Sequence, residues 1–230
     1  GLGLRYEKTA SFKPPRRFHL FMRRTTTVEP SEPVEPAEPL SHVIKGHHAP
    51  RLTLNPEPDN PIPGHYFITE RNEPIVSEII TAGNPILKAV AAPVTAFDKK
   101  LKFLILDMKK TLYEANGVGL AAPQIAVSKR IFVADDGESG FEAYINPVWQ
   151  PDGDEMATDS EGCLSVPGLF GEVTRYARVI VRYQDIHGKK KVKKASGLLA
   201  RCIQHETDHL NGILFIEKAI SLHKGPKDEE

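Results

Sequence analysis

Hydrophobic positions show no regular period over the first seventy residues, and then the pattern changes. Between Ala96 and Ala115 the residues Phe97, Leu101, Leu104, Ile105, Met108 and Leu112 recur at helical spacing, which predicts an amphipathic helix capped by Thr95 and stopped at Asn116-Gly117. Arg130–Ala134 and Ala143–Ile145 read as strands separated by the acidic turn 135–140, with Asn146-Pro147 opening another turn. Further strands are predicted over Val173–Tyr176, Arg178–Tyr183 and Lys189–Lys194, the last two joined by a hairpin turn at Asp185–Gly188. A second helix runs over Leu198–Leu210, with Ser196 as its cap and Asn211-Gly212 as its stop, and Leu214-Phe215-Ile216 predicts a last short strand. Residues 221–230 read as a polar tail.

The aperiodic start has its own composition. Residues 1–28 hold seven basic side chains against the single acid Glu7, a bias that suits a solvated tail, an RNA contact or an organelle transit segment. A three-residue Glu-Pro repeat follows over Val28–Pro39 and reads as a stiff, extended spacer, because proline at this density excludes helix and central strand. Residues 40–74 stay proline-rich, with Tyr66–Thr69 as the only strand-like run and His42, His47 and His48 lacking neighbours at ligand spacing. The chain therefore divides into an extension over 1–74, largely unstructured, a domain over 75–220, and the tail. Across all 230 residues, 30 basic side chains balance 30 acidic ones, so no overall bias toward nucleic acid or membrane exists, and no apolar run reaches the ~20 residues of a membrane span. Two cysteines are too few for a disulfide scaffold and suit a reducing compartment.

Chemistry concentrates in Gln204-His205-Glu206-Thr207-Asp208-His209-Leu210. Four positions apart on a helix, His205 and His209 project from one face and can grip one divalent metal, while Glu206 points about 100° away and falls beside it, where a base for an activated water belongs. Two thiols can complete the set. If Cys163 and Cys202 both bind, the site is a closed structural Cys2His2 centre; if only Cys163 binds, a fourth position stays open and the site is catalytic. Helix geometry does not choose between these, although Glu206 favours catalysis. Glu161, two positions before Cys163, is placed to support a metal ligand from behind. The small, apolar stretch 117–124 lets backbone approach a ligand closely, with Gln124 as its one polar side chain.

Three stretches together, Gly-Val-Gly-Leu-Ala-Ala-Pro-Gln at 117–124, Glu-Gly-Cys-Leu-Ser at 161–165 and Gln-His-Glu-Thr-Asp-His-Leu at 204–210, resemble the three motifs of peptide deformylase in order and spacing. The resemblance covers about residues 75–220, and the Pro167–Gly171 run is similar to the branch found in Gram-positive bacteria and organelles. It implies an α+β fold, with antiparallel sheets packed around a central metal-binding helix and a second amphipathic helix beside them. It implies Cys163, His205 and His209 as metal ligands, Glu206 as general base and acid, and Gln124 with the Leu164 amide as oxyanion donors. Val118 and Gly119 would contact the peptide, and Cys202 would line the first side-chain pocket with Val118 and Leu198, which argues for the open site. The implied metal is iron(II) in the cell, with zinc, nickel or cobalt as substitutes. Implied partners are N-formylmethionyl nascent peptides, with ribosome contact through the basic segments and no membrane. The implied location is the bacterial cytoplasm, or a mitochondrion or plastid if the basic start is a transit segment. Two other classes stay open at this point: a non-catalytic structural-zinc protein on the ribosome, and a metallopeptidase or amidase for another acyl group.

Overall fold

A helix with buried polar residues on every face lies between two antiparallel sheets. In a computed structural model of the chain, residues 73–225 are described; the basic N-terminal segment, the Glu-Pro spacer, the Tyr66–Thr69 strand and residues 226–230 lie outside them. After an extended lead and a 3-10 turn at Pro85–Lys88, the elements are α1 (Lys99–Glu114), β1 (Gly119–Ala121), β2 (Ile131–Ala134), β3 (Glu142–Pro151), β4 (Met156–Cys163), β5 (Val166–Tyr176), β6 (Arg178–Gln184), β7 (Lys190–Ser196), α2 (Gly197–Leu210) and β8 (Ser221–Lys224). One sheet has the order β1-β2-β3-β6-β7 and the other β4-β5-β8. The α+β architecture expected from the sequence is the one observed.

The apolar stripe of α1 packs where its period puts it. Leu101, Ile105, Met108 and Leu112 are buried against Leu120, Ile131, Val133 and Ile145 of the larger sheet. The cap is Asp98, whose carboxylate accepts from the Leu101 amide at 3.0 Å, and not Thr95. Phe97 precedes this cap yet still packs on the core, so the apolar period runs past the true start of the helix. The stop is as expected, with Asn116 left-handed at φ 53°.

Three other expectations need correction. Asn146-Pro147 makes no turn: it is a bulge inside β3, where the register slips by one residue between Ile145 and Val148. Asn146 takes the left-handed conformation there at φ 50°. Its side chain accepts from Val94 N and donates to Val94 O and Gln184 Oε1, all at 2.8 Å, so the bulge fastens the lead segment to the sheet. Leu214-Phe215-Ile216 is not a strand, because the Glu217 carboxylate accepts from the Leu214 amide at 2.7 Å and closes a 3-10 turn over Phe215–Glu217. The last strand is instead β8, within the stretch read as polar tail; it pairs with β5 from Leu169↔Lys224 to Glu172↔Ser221. All four of its residues are exposed, so backbone pairing, and no apolar face, creates it.

α2 starts at Gly197, and Ser196 precedes it without a side-chain capping bond. From Leu199 to Leu210 every residue is buried. A helix carrying Arg201, Gln204, His205, Glu206, Thr207, Asp208 and His209 in its interior must satisfy those groups or pay heavily in desolvation. Gln204 accepts from Tyr176 N at 3.0 Å and donates to Tyr176 O at 2.9 Å, pinning the end of β5 to the helix. Arg201 donates to Glu161, Val173 O and Ala157 O, binding the smaller sheet to the same helix.

Candidate metal centre and active site

The donor atoms of Cys163, His205 and His209 all lie within 4.8 Å of one another, and all three residues are buried. Cys163 ends β4 at a two-residue hairpin whose turn is Leu164-Ser165, so strand pairing aims its thiol at the helix. Its Sγ stands 3.3 Å from His209 Nε2. His205 directs Nδ1 to Glu161 Oε2 at 2.9 Å, which turns Nε2 toward the centre. Cys202 is outside this group, so the four-ligand reading has no support among the described residues. Burial, with the Glu206 charge added, raises the Cys202 thiol well above its ordinary range and keeps it neutral.

The donor set fits a divalent metal. Burial and the neighbouring His205 charge push His209 well below its usual range, which leaves a neutral imidazole ready to ligate. Burial acts on His205 in the same direction, but its contacts with Cys163 and Glu161 outweigh it and raise the ring. Beside the three donors, Glu206 Oε2 is buried without a hydrogen-bond partner. An orphaned carboxylate oxygen next to a soft sulfur and two imidazoles is the arrangement expected for a base facing a water at a metal. Burial is the largest influence on Glu206 and lifts its carboxyl to about 7, against the opposing His205 charge.

A pocket opens on this centre, lined by Val118, Gly119, Gln124, Leu164, Cys202 and Glu206 together with the ligands Cys163 and His205. Gly119 is required to be small, since a Cβ there would meet Cys202 Sγ at 2.6 Å and press on the Glu206 carboxylate. Gln124 is buried in a 3-10 turn at Ala122–Ile125; its Oε1 accepts from Ala121 N at 2.8 Å, and its Nε2 faces Ser165 Oγ at 3.2 Å and Cys163 Sγ at 3.7 Å. Leu198 is the exception among the expected pocket residues: it packs half-buried against the core cluster of Val179, Val181 and Tyr183 and does not line the pocket.

Behind the three donors stands a charge network of which the sequence pointed only to Glu161. Glu161 receives Arg175 through two bonds of 2.8 Å, Arg201 at 2.7 Å and His205. Burial alone would raise the Glu161 carboxyl, but Arg175 and His205 hold it far below the usual carboxylate range. Arg175 also reaches Asp208 at 2.6 Å, which in turn takes Lys218 at 2.6 Å. Arg201 carried a usable signal, because positions 201, 205 and 209 form one helical stripe. Arg175 carried none, since its meeting with Glu161 depends on the β4–β5 register.

Comparison with known proteins fits this geometry. The family model for polypeptide deformylase matches residues 76–225. The peptide deformylase of Pelotomaculum thermopropionicum is 50% identical over 155 residues, covering 67% of this chain and 99% of the relative. That of Carboxydothermus hydrogenoformans is 50% identical over 145 residues, covering 63% of this chain and 93% of the relative. Among solved structures, peptide deformylase from Thermotoga maritima superposes with a TM-score of 0.62 at 43% identity, over 64% of this chain and 99% of that one. A peptide deformylase from Synechococcus elongatus in complex with actinonin gives 0.61 at 38% identity, over 66% and 83%. With a match across well over half of its residues, Cys163, His205 and His209 included, the chain belongs to the polypeptide deformylase family.

Proposed function

We infer that this chain removes the N-terminal formyl group from formylmethionyl nascent polypeptides and releases formate, using a divalent metal held by Cys163, His205 and His209. The observation that carries the reading is the unpartnered Glu206 carboxylate beside three buried donors of metal-ligand type. When bound, the metal supplies Lewis acidity, polarising the formyl carbonyl and making a water acidic enough to lose a proton near neutral pH. Glu206 accepts that proton, and a carboxyl lifted to about 7 is matched to the task. As the hydroxide oxygen adds to the formyl carbon, the Leu164 N–H and the Gln124 amide donate to the developing oxyanion. Glu206 then returns the proton to the departing amine, the C–N bond breaks, and formate and a free amino terminus result. Val118, Gly119 and Cys202 shape the space for the methionine side chain, and the neutral Cys202 thiol adds no charge to it.

Iron(II) is the ion we assign in the cell, because a thiolate ligand suits a softer, redox-capable metal; zinc, nickel and cobalt fit the same donors. We assign ribosome contact to the basic segments, of which β7 presents Lys190, Lys191 and Lys194 to solvent. The bacterial relatives support a cytoplasmic location. No described helix is long and apolar enough to cross a membrane.

Glu206→Gln tests the chemistry: metal per chain stays at the wild-type level, while formate release from a formyl-Met peptide falls by about 10²–10⁴. Wild-type turnover in this variant, with metal retained, removes Glu206 from the mechanism.

A further inference from the structure

The lead segment before α1 makes two main-chain contacts that the proposed reaction does not explain. Ile80 N–H donates to the Gln124 carbonyl and Ala82 N–H to the Ser165 carbonyl, each at 2.8 Å. The first acceptor lies in the 3-10 turn that carries Gln124, the second in the hairpin turn that carries Leu164. These two turns come from different sheets, β1 leading into one and β4 into the other. Within the site, the Gln124 side chain also crosses between them, at 3.2 Å to Ser165 Oγ. That side chain is also the one required to serve the oxyanion.

The segment is itself held firmly on both sides. Upstream, Ser77 N–H donates to Thr111 Oγ1 of α1 at 2.8 Å. Downstream, Thr81–Asn84 closes a β-turn, with Asn84 N to Thr81 O at 3.2 Å and Gly83 at φ 107°, the positive φ that a type II turn needs at its third position. Asn84 Oδ1 then caps the next 3-10 turn by accepting from Ile86 N at 3.0 Å, and the buried Leu87 joins the core cluster of Cys163 and Val166.

We propose that Ile80–Ala82 is a positioning strap for the deformylation reaction, fixing the distance between the Gln124 and Leu164 turns so that both donors meet one oxyanion. The proposal rests on the functional reading above. Oxyanion donors act only within about 2.7–3.1 Å of the developing charge. A strap that takes over the mechanical link leaves the Gln124 amide to face the substrate and not to hold the site together.

Ala82→Pro in the full chain tests it. Position 82 is the second residue of the turn, where proline is favoured, so the turn survives while the N–H is lost and the ring displaces the Ser165 carbonyl. The expected result is a fall in kcat of about tenfold to a hundredfold, at unchanged KM and unchanged metal per chain. Amide hydrogen exchange at Leu164 and Ser165 should quicken in the same variant, a readout independent of turnover. Ala82→Gly, which keeps the N–H, should keep the wild-type kcat. Wild-type kcat in Ala82→Pro overturns the proposal, as does a fall in kcat accompanied by loss of metal and a raised KM. If Ala82→Pro does not fold, Gly83→Ala strains the turn in open space and leaves both N–H groups in place. Quickened exchange at Leu164 with undiminished kcat in that variant overturns the proposal equally. Formate release by the wild-type chain tests the functional reading separately, so the two failures are distinct.

Discussion

Glu161 shows how a single carboxylate can determine the behaviour of a metal site it does not join. Its two oxygens are shared among Arg175, Arg201 and His205, and all four side chains are buried. The pairing fixes which nitrogen of His205 faces the donors, and the negative charge makes that ring a stronger ligand. Glu161→Gln keeps the size and loses the charge, and metal affinity should drop about 10–100-fold, read by competition against a chelator. Glu161→Ala should cost more, about 3–5 kcal/mol of folding stability by denaturant titration, because it leaves two buried guanidinium groups short of their partner. At this scale the sequence was informative where spacing is local. His205, His209 and Glu206 follow from one helix turn, and Glu161 from its nearness to Cys163. Arg175 and Asp208 become partners only through long-range register, which residue spacing does not encode.

The elements differ in how their stability arises, and this decided which were legible. α1 and α2 announce themselves by apolar period and by the turns that stop them. The bulge at Asn146 and the exposed strand β8 rest on backbone pairing and one amide side chain, so no hydrophobic pattern marks them. Between β3, β6 and β7 lies a second polar junction, where Glu142 accepts from Lys193 Nζ at 2.7 Å, from Tyr144 at 3.3 Å and from Tyr183. Burial pushes the Glu142 carboxyl up, but these donors prevail and hold it below its ordinary value. A depressed carboxyl contributes stability above its unfolded pKa of about 4.3 and loses that contribution as pH falls toward the folded value. Glu142→Gln should therefore be less stable than wild type by a constant margin above about pH 5, with the margin shrinking in more acid solution. Melting temperatures of both chains across that range measure it; a margin independent of pH would mean that the charge of Glu142 is not what the junction uses.

For the whole molecule, the family match begins at residue 76, and a relative aligned over 99% of its own length covers 67% of this chain. Residues 1–75 thus lie outside the matched region. Removing residues 1–72 should leave kcat/KM for a formyl-Met peptide within about twofold, while any ribosome association carried by the basic segment is lost in co-sedimentation. The placing of the three donors on two layers has a larger consequence. His205 and His209 sit on a helix that rests on all five strands of the larger sheet, whereas Cys163 belongs to the smaller sheet. An ion joining them is a cross-link between two layers, and at a hundredfold excess over its dissociation constant it adds about 2.7 kcal/mol to the folded state. Chelation should accordingly loosen β4, β5 and β8 first, seen as faster amide exchange there while β2, β3 and α1 stay protected. Heat tolerance and metal supply would then be a single variable for this enzyme, so that a cell short of the ion would lose the protein along with its activity.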